Sequence, residues 1–286
     1  MKYRLLGSTG IVVSEIGFGG LGLSEGYFKD TTKGNSIKSV EEAICRGINL
    51  FDVSPLYKGS EELLKSVVKD DDNIVICTKG GFTEEGTTDF SVPYIKRSFE
   101  SSKEKLENVD IYLLHSPSPQ EITNDLVDYL EYLKEQKDIR AYGVSLKSPA
   151  DGLEILSKFP FKIIEVNFNL LDHRLIHLGL LKYCELNNIG IIARTPLATG
   201  ILTPVNNNLL IRNSEGLKVQ YALKDKISKI INSRDIVQAS LQFCITPKAI
   251  SSCIPSMTTA EQVIENIKVS GLGPLPEFEQ IIQEEI

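Results

Sequence analysis

Apolar positions along the chain follow two alternating periods. Short, near-continuous apolar runs at residues 15–19, 49–53, 73–78, 110–115, 140–145, 163–167, 189–194 and 250–254 read as strands. The stretches between and after them, 36–46, 60–68, 92–106, 124–135, 149–158, 176–187, 233–243 and 259–269, carry helical spacing. Several have a start signal: Ser148 precedes Pro149 at a first helical position, and Thr259 with Gln262 has the form of a capping box. Ahead of this alternation, residues 3–6 and 11–13 flank the turn-rich Gly7-Ser8-Thr9-Gly10 and predict a hairpin.

Eight strand–helix units whose strands are apolar on both faces predict a single (β/α)8 TIM barrel over residues 1–286 with an N-terminal β-hairpin. Each parallel return needs a helical crossover of right-handed sense, and eight of them close a ring. No Pro- or Gly-rich linker divides the chain, and the longest irregular stretch, 195–220, is expected to be a functional cover. One motif competes: Gly17-Phe18-Gly19-Gly20-Leu21-Gly22 has the glycine spacing of a dinucleotide-binding turn. That fold needs a helix to open at once behind the glycines, whereas residues 24–35 intervene here, so the barrel is preferred.

Composition narrows the function classes. The chain is 42% hydrophobic and 24% charged, which is globular, and 31 Lys+Arg against 38 Asp+Glu give a net charge of −7. That balance argues against a nucleic-acid or anionic-membrane surface as the main function. The N-terminus turns polar before any leader-length apolar run and no stretch reaches about 18 apolar residues, so a cytoplasmic protein is expected. The five cysteines form no CxxC pair and read as small buried hydrophobes. His173 and His177 lie four apart without a third ligand at recognised spacing, so no metal is expected. Asp70-Asp71-Asp72 reads as a solvated loop, no GxSxG nucleophile turn is present, and oligomeric state leaves no mark.

The chemistry of a parallel barrel sits at the C-terminal ends of its strands. The second, third and fourth predicted strands end in Asp52-Val53-Ser54-Pro55-Leu56-Tyr57, Thr78-Lys79 and His115-Ser116. Any one of these polar groups has an ordinary explanation as a cap, a solvated cation or a satisfied core histidine. Together they line a pocket better than they build a core. They also suit carbonyl reduction. A tyrosine near its reference pKa of about 10 donates poorly at neutral pH, and an adjacent ammonium lowers that value. Lys79 is expected to do this, Asp52 to hold Lys79, and His115 to orient the oxygen that Tyr57 protonates.

On these residues the chain resembles the aldo-keto reductases, NAD(P)-dependent enzymes on a (β/α)8 barrel. The resemblance runs over nearly the whole chain. It rests on Ile16-Gly17-Phe18-Gly19, Asn49-Leu50-Phe51-Asp52 with Tyr57, Gly59-Ser60-Glu61, Thr78-Lys79 and Asp110-Ile111-Tyr112-Leu113-Leu114-His115. It continues through Gly143-Val144-Ser145, Pro196-Leu197 with Gly200, and Ile254-Pro255 with Glu265-Asn266. The resemblance implies a catalytic tetrad of Asp52, Tyr57, Lys79 and His115, with Tyr57 the general acid. It also implies a nicotinamide cofactor lying across the barrel mouth, which would make the glycine motif a coincidence.

The implied cofactor contacts are Gly20 and Leu21 near the nicotinamide, Ser145 and Glu165 on its carboxamide, and Arg194 stacked on the ring or bound to phosphate. Pro196, Leu197 and Gly200 stand where backbone N–H groups approach the pyrophosphate, and Ser256, Thr258, Gln262, Glu265 and Asn266 where the adenosine end would lie. Two positions depart from the family's habit: Leu146 replaces an Asn, and Glu165 stands where Gln is usual. Residues 256–267 hold no cation before Lys268. NADP(H) is the cofactor the family favours, with NAD(H) the other candidate. The implied activity is reduction of an aldehyde, ketone or sugar-like carbonyl, or the reverse oxidation. The alternative is a barrel of the same family with weak or no turnover that serves as a redox-responsive binding or regulatory subunit. Tyr27, Phe82, residues 116–120 and residues 271–286 are expected to shape the substrate pocket.

Overall fold

Side chains on the barrel strands alternate between two apolar environments, as the pleat requires when both faces of a sheet are covered. Leu50, Val75, Cys77, Ile111, Leu113, Ile163, Ile192 and Ile254 pack together in one cluster, inside the ring. Their neighbours Phe51, Ile76, Tyr112, Leu114, Ile164, Ile191 and Cys253 belong to the larger cluster between strands and helices. The computed structural model describes residues 1–24, 32–69, 73–204, 214–232 and 234–284.

The hairpin strands β1 (Tyr3–Leu5) and β2 (Val12–Ser14) pair antiparallel. The barrel strands are β3 (Phe18–Gly19), β4 (Leu50–Asp52), β5 (Val75–Gly80), β6 (Ile111–His115), β7 (Ala141–Ser145), β8 (Ile163–Asn167), β9 (Gly190–Arg194) and β10 (Ile250–Ile254), paired in chain order. Parallel bridges Ile16 to Cys253 and Gly19 to Ser256 join the two ends of the sheet, with Gly17 N–H donating to the Cys253 carbonyl at 2.9 Å. The eight-stranded ring is therefore closed, as the sequence predicts.

The glycine motif has a structural origin in this closure. A Cβ on Gly19 would lie 2.8 Å from the Ile254 carbonyl oxygen, and one on Gly20 would lie 2.6 Å from that of Asp52. Gly19 lets β3 and β10 meet at the seam, and Gly20 lets the chain pass close over the end of β4. A short 3-10 turn, Gly20–Leu23, follows β3 in place of a dinucleotide-binding helix.

The helical layer is α1 (Lys33–Cys45), α2 (Ser60–Val67), α3 (Val92–Leu106), α4 (Asn124–Glu135), α5 (Pro149–Lys158), α6 (Arg174–His177), α7 (Leu180–Leu186), α8 (Ser214–Ile230), α9 (Ile236–Ile245), α10 (Ala260–Asn266) and α11 (Phe278–Gln283). Ser148 caps α5 as read from the sequence, accepting from the Ala150 N–H. Several boundaries differ. Helix α1 starts three residues early because Thr32, accepting from the Asn35 N–H, is its cap. The predicted 176–187 helix divides into α6 and α7 at Gly179, whose φ of 75° is left-handed. The 195–220 stretch is not irregular throughout, since α8 begins at Ser214. Thr259 accepts from the Gln262 N–H, but the return bond from Gln262 Oε1 goes to the N–H of Thr258, so the box is displaced by one residue. Four cysteines are buried as expected, while Cys45, ending α1, is exposed. Residues 116–120 include the first two residues of a 3-10 turn, Pro119–Glu121. In the 271–286 segment Leu275 and Ile281 are buried, and the Phe278 ring packs at a tilt against Phe243 of α9. Tyr27 and Asp70-Asp71-Asp72 lie outside the described residues.

At the N-terminal end of the barrel Leu6, Ile11 and Val13 of the hairpin region complete the interior cluster. Arg4 anchors the hairpin: its guanidinium donates to Glu15 Oε1 at 2.6 and 2.9 Å and to the carbonyls of Ile245, Pro247 and Ile250.

Candidate active site

The inward register of the strands carries the site. Two residues beyond each interior apolar side chain the chain places a polar one: Asp52 after Leu50, Lys79 after Cys77, His115 after Leu113, Glu165 after Ile163 and Arg194 after Ile192. A period of two therefore delivers an acid, an amine, an imidazole, a second acid and a guanidinium to one end of one barrel. Ser145 joins them from β7, paired in register with His115 and with Glu165.

Lys79 is the hub. Its Nζ lies 2.5 Å from both oxygens of Asp52, 3.2 Å from Glu165 Oε2 and 3.3 Å from the Val53 carbonyl, and the side chain is fully buried. Tyr57 is delivered by the turn after β4, where its N–H donates to the Ser54 carbonyl and its own carbonyl accepts from Ser60. The Lys79 ammonium stands 5.7 Å from the centre of the Tyr57 ring, and the rings of Tyr57 and His115 meet edge-on at 6.3 Å. The four residues named from the strand ends therefore converge.

Their ionisation is set by burial. His115 is pushed down to about 3 by burial and then by the Lys79 charge, so the imidazole is neutral at ordinary pH. Tyr57 is pushed up to about 12. That corrects the expectation of a lowered tyrosine. Lys79 does pull in the expected direction, but burial outweighs it, and Asp52 and Glu165 oppose it. The two carboxylates share one lysine. Burial and the charge of Glu165 raise Asp52 to about 8, whereas for Glu165 the effect of burial is outweighed by Lys79 and Arg194, which hold it down.

One contributor, Ser54, was given no role from the sequence. Ser54 Oγ lies 3.3 Å from His115 Nδ1 and accepts from the Leu56 N–H at 3.2 Å. Phe82, expected to shape the substrate pocket, meets the His115 ring edge-on at 4.8 Å. The parity of Ser54, two residues after Asp52, was the available signal.

The profile of the Aldo/keto reductase family matches residues 15–281. The chain belongs to that family. As an aldo-keto reductase it is an NAD(P)-dependent oxidoreductase. It is 30% identical to L-galactose dehydrogenase of Arabidopsis thaliana over 93% of this chain and 87% of that protein. It is 29% identical to the uncharacterized oxidoreductase YqkF of Bacillus subtilis over 98% and 94%. Among solved structures, the holo form of an aldo-keto reductase from Bacillus halodurans superposes with a TM-score of 0.83 at 25% identity, covering 99% of this chain and 95% of that one.

The mouth of this aldo-keto reductase fits the polar end of a nicotinamide. Ser145 Oγ donates to Glu165 Oε1 at 3.0 Å, while Glu165 Oε2 and Arg194 Nε are buried with no hydrogen-bond partner. Glu165 Oε2 faces the Lys79 ammonium at 3.2 Å, so the groups left for a primary carboxamide are the Arg194 Nε–H as donor and Glu165 Oε1, 3.7 Å from it, as acceptor. Arg194 is held across two strands, donating to the Leu146 carbonyl at 2.9 Å and lying 3.7 Å from Glu165. Gly20 and Leu21 occupy the 3-10 turn beside Asp52.

Further out, Pro196 is buried, Leu197 half-buried, and Gly200 N–H donates to the Leu197 carbonyl. The N–H groups of Ala198 and Leu202 also close turns within the loop. At the other end, Ser256 and Thr258 flank the buried Met257, and Gln262 Oε1 is bonded to the N–H and hydroxyl of Thr258. Glu265 is paired with Lys268 at 2.6 Å, and Asn266 is buried. Among the described residues no cluster could hold a metal ion, and His173 is buried with Nε2 on the Leu170 carbonyl at 3.0 Å. No described helix is long and apolar enough to cross a membrane.

Proposed function

We propose that this enzyme reduces a small-molecule carbonyl, an aldehyde, ketone or sugar-like compound, to the alcohol, or runs the reverse, with Tyr57 as general acid and base. The observation that supports this reading most is the meeting of Tyr57, Lys79, Asp52 and His115 in one barrel mouth. A nicotinamide bound at this mouth would supply the hydride for the carbonyl carbon. Tyr57 stays a neutral phenol and passes its proton to the carbonyl oxygen as that oxygen gains negative charge, leaving a tyrosinate beside Lys79. Asp52 fixes Lys79 in place. Ser54 Oγ accepts from the Leu56 N–H, so its own proton is free for His115 Nδ1. With Ser54 donating to Nδ1, the single N–H of the neutral ring lies on Nε2, a donor for the substrate oxygen.

In reduction the phenol is present at every pH below about 12 and the neutral imidazole above about 3, so the rate is expected to hold through the neutral range. Alcohol oxidation needs the tyrosinate and is expected to climb with pH. The test is Tyr57→Phe, assayed with a panel of aromatic and sugar aldehydes. The expected loss is about 10²- to 10⁴-fold in the reductive rate, the usual contribution of a positioned acid. An unchanged rate would overturn the assignment.

For the cofactor, family resemblance puts NADP(H) first. A specific observation favours NAD(H) as the second reading. Residues 256–262 hold no cation, Glu261 lies in the first turn of α10, and Lys268 is already paired with Glu265. Charge-assisted bonds are about twice as strong as neutral ones, and residues 256–262 themselves supply none for a 2′-phosphate, while Lys38 of α1 acts on Glu261. Titration of the protein with NADPH and with NADH, followed by nicotinamide fluorescence, separates the two readings.

A further inference from the structure

Glu165 stands out among the buried groups of the mouth because its charge is surplus to the proposed proton transfer. Asp52 alone, with both oxygens 2.5 Å from Lys79 Nζ, is enough to hold the lysine. Glu165 adds a second buried carboxylate at 3.2 Å from the same nitrogen, and Arg194 reaches it only at 3.7 Å, without a hydrogen bond from Nε. The ionisable groups around Glu165 come from four other strands and a turn: Asp52 from β4, Tyr57 from the turn behind it, Cys77 and Lys79 from β5, His115 from β6 and Arg194 from β9. Only two of these are permanent cations at ordinary pH, and they face two carboxyl groups. At neutral pH the one proton these carboxyls retain sits on Asp52, which burial and the Glu165 charge raise to about 8, and above that pH both are ionised.

We propose that Glu165 is a positioning residue acting through Lys79: by placing a second carboxylate on the lysine it adds a negative charge that opposes tyrosinate formation at Tyr57, keeps the phenol protonated and biases the enzyme toward carbonyl reduction. This rests on the reading of Tyr57 as the proton carrier. The physical basis is Coulombic. In the alkaline range where the phenol titrates both carboxyls are ionised: Lys79 and Asp52 then balance one another beside the ring 5.7 Å from Nζ, and Glu165 adds one negative charge that opposes tyrosinate formation. Tyrosinate formation, which oxidation of an alcohol requires, then occurs only under alkaline conditions. A neutral amide at position 165 keeps the shape and the carboxamide contact while removing the surplus charge.

The test needs no substrate in its first arm. The chain has no Trp, so the alkaline absorbance titration of its ten tyrosines is read without indole interference. Subtracting Tyr57→Phe from the parent isolates the Tyr57 transition, and subtracting the Glu165→Gln/Tyr57→Phe double variant from Glu165→Gln isolates it in the second background. The expected result is a Tyr57 transition about one pH unit lower with Gln at 165, the effect of one charge within about 10 Å at an effective dielectric near 20. Glu165→Asp, which keeps the charge, is expected to titrate like the parent. An unmoved transition in Glu165→Gln, or equal shifts in the Gln and Asp variants, would overturn the proposal, the second because it marks a packing effect.

The second arm is the pH profile of NADP+- or NAD+-dependent oxidation of a benzylic alcohol, expected to begin rising about one unit lower in Glu165→Gln with reduction changed less. An unmoved profile would likewise overturn the bias assigned to Glu165. The failure of the underlying reading looks different: Tyr57→Phe would keep the parent's rate while the absorbance titration still reported coupling between positions 165 and 57.

Discussion

The two ends of the barrel each bury an acid beside a base, and they treat the pair in opposite ways. At the N-terminal end Glu15 is saturated. Oε1 takes two bonds from Arg4, and Oε2 takes the Gly271 N–H at 3.0 Å and the Ser270 hydroxyl at 3.3 Å. The remaining Arg4 bonds end on three carbonyls. At the C-terminal end two carboxylates compete for one lysine, and Glu165 Oε2 and Arg194 Nε are left buried without hydrogen bonds. A saturated network fixes geometry; an unsaturated one is kept at a cost in stability and has capacity for a ligand. The difference separates a structural clamp from a working site more clearly than the residue types do, since both ends use the same kinds of side chain.

The largest effect that would test this contrast is removal of the clamp. Arg4→Ala leaves Glu15, only 1% exposed, with Lys2 at 3.5 Å as its remaining cation, and also frees three carbonyls. Breaking a buried pair on one side costs about 3–5 kcal/mol, and the residual lysine puts this case near 3. Denaturant unfolding should show that loss, while reductase activity per folded molecule stays at the parent's level. A variant with parental stability would mean that the N-terminal end is no clamp.

How far the sequence reached follows the same contrast. The interior parity of the strands was legible, because alternation past Leu50, Cys77 and Leu113 places Asp52, Lys79 and His115 at one end whatever the exact strand boundaries. The hairpin was legible from Gly7 and Gly10, and both have positive φ. Ionisation was not legible. The sign of the Tyr57 shift depends on how burial and two carboxylates compare with one lysine, and those are distances between strands far apart in the chain. Glu165 was readable as a residue that departs from the family's habit, but not as a second ligand of Lys79. Arg4 and Glu15, though only 11 residues apart, gave no signal of the clamp either, since the carbonyls and the Gly271 N–H that complete it lie over 240 residues away. Helix α8 and the break at Gly179 were missed because weak local periodicity does not show where the barrel needs a helix or where a turn must bend.

A smaller effect sharpens the comparison through pH. Burial alone would raise the Glu15 carboxyl, but bonds from Arg4 and the Gly271 N–H outweigh it and hold the group below its ordinary 4.5. A depressed acid contributes stability that is complete above the unfolded-state value and is lost as pH falls through the folded-state value. The stability gap between the parent and Glu15→Gln should therefore be constant from neutral pH down to about 4.5 and close below it. Asp52 carries the reverse sign. Its carboxyl is held up to about 8, so folding there favours proton uptake, and its contribution worsens as pH rises from near 4 toward 8. A parent-to-Glu15→Gln gap that widened on acidification would show that Glu15 is not held ionised by its partners.

The smallest effect concerns the hydroxyl that connects structure to chemistry at the mouth. Ser54 is 1% exposed; its carbonyl accepts from Tyr57 N–H, and its Oγ sits between Leu56 N–H and His115 Nδ1. Ser54→Ala removes one hydrogen bond on each side of that oxygen, which costs about 1 kcal/mol of stability. The functional consequence is separate. Without the hydroxyl, His115 is neutral in either tautomer, and only the form with the proton on Nε2 can donate to the substrate oxygen. The reductive kcat/KM should fall between about twofold and tenfold, corresponding to the loss of tautomer control and not of the proton donor. The imidazole 15N shifts supply the independent readout: the parent should show one tautomer and Ser54→Ala a mixture. A single unchanged tautomer in the variant would assign control of His115 to the Phe82 ring packed 4.8 Å from it, and would move the unsaturated character of this end away from Ser54.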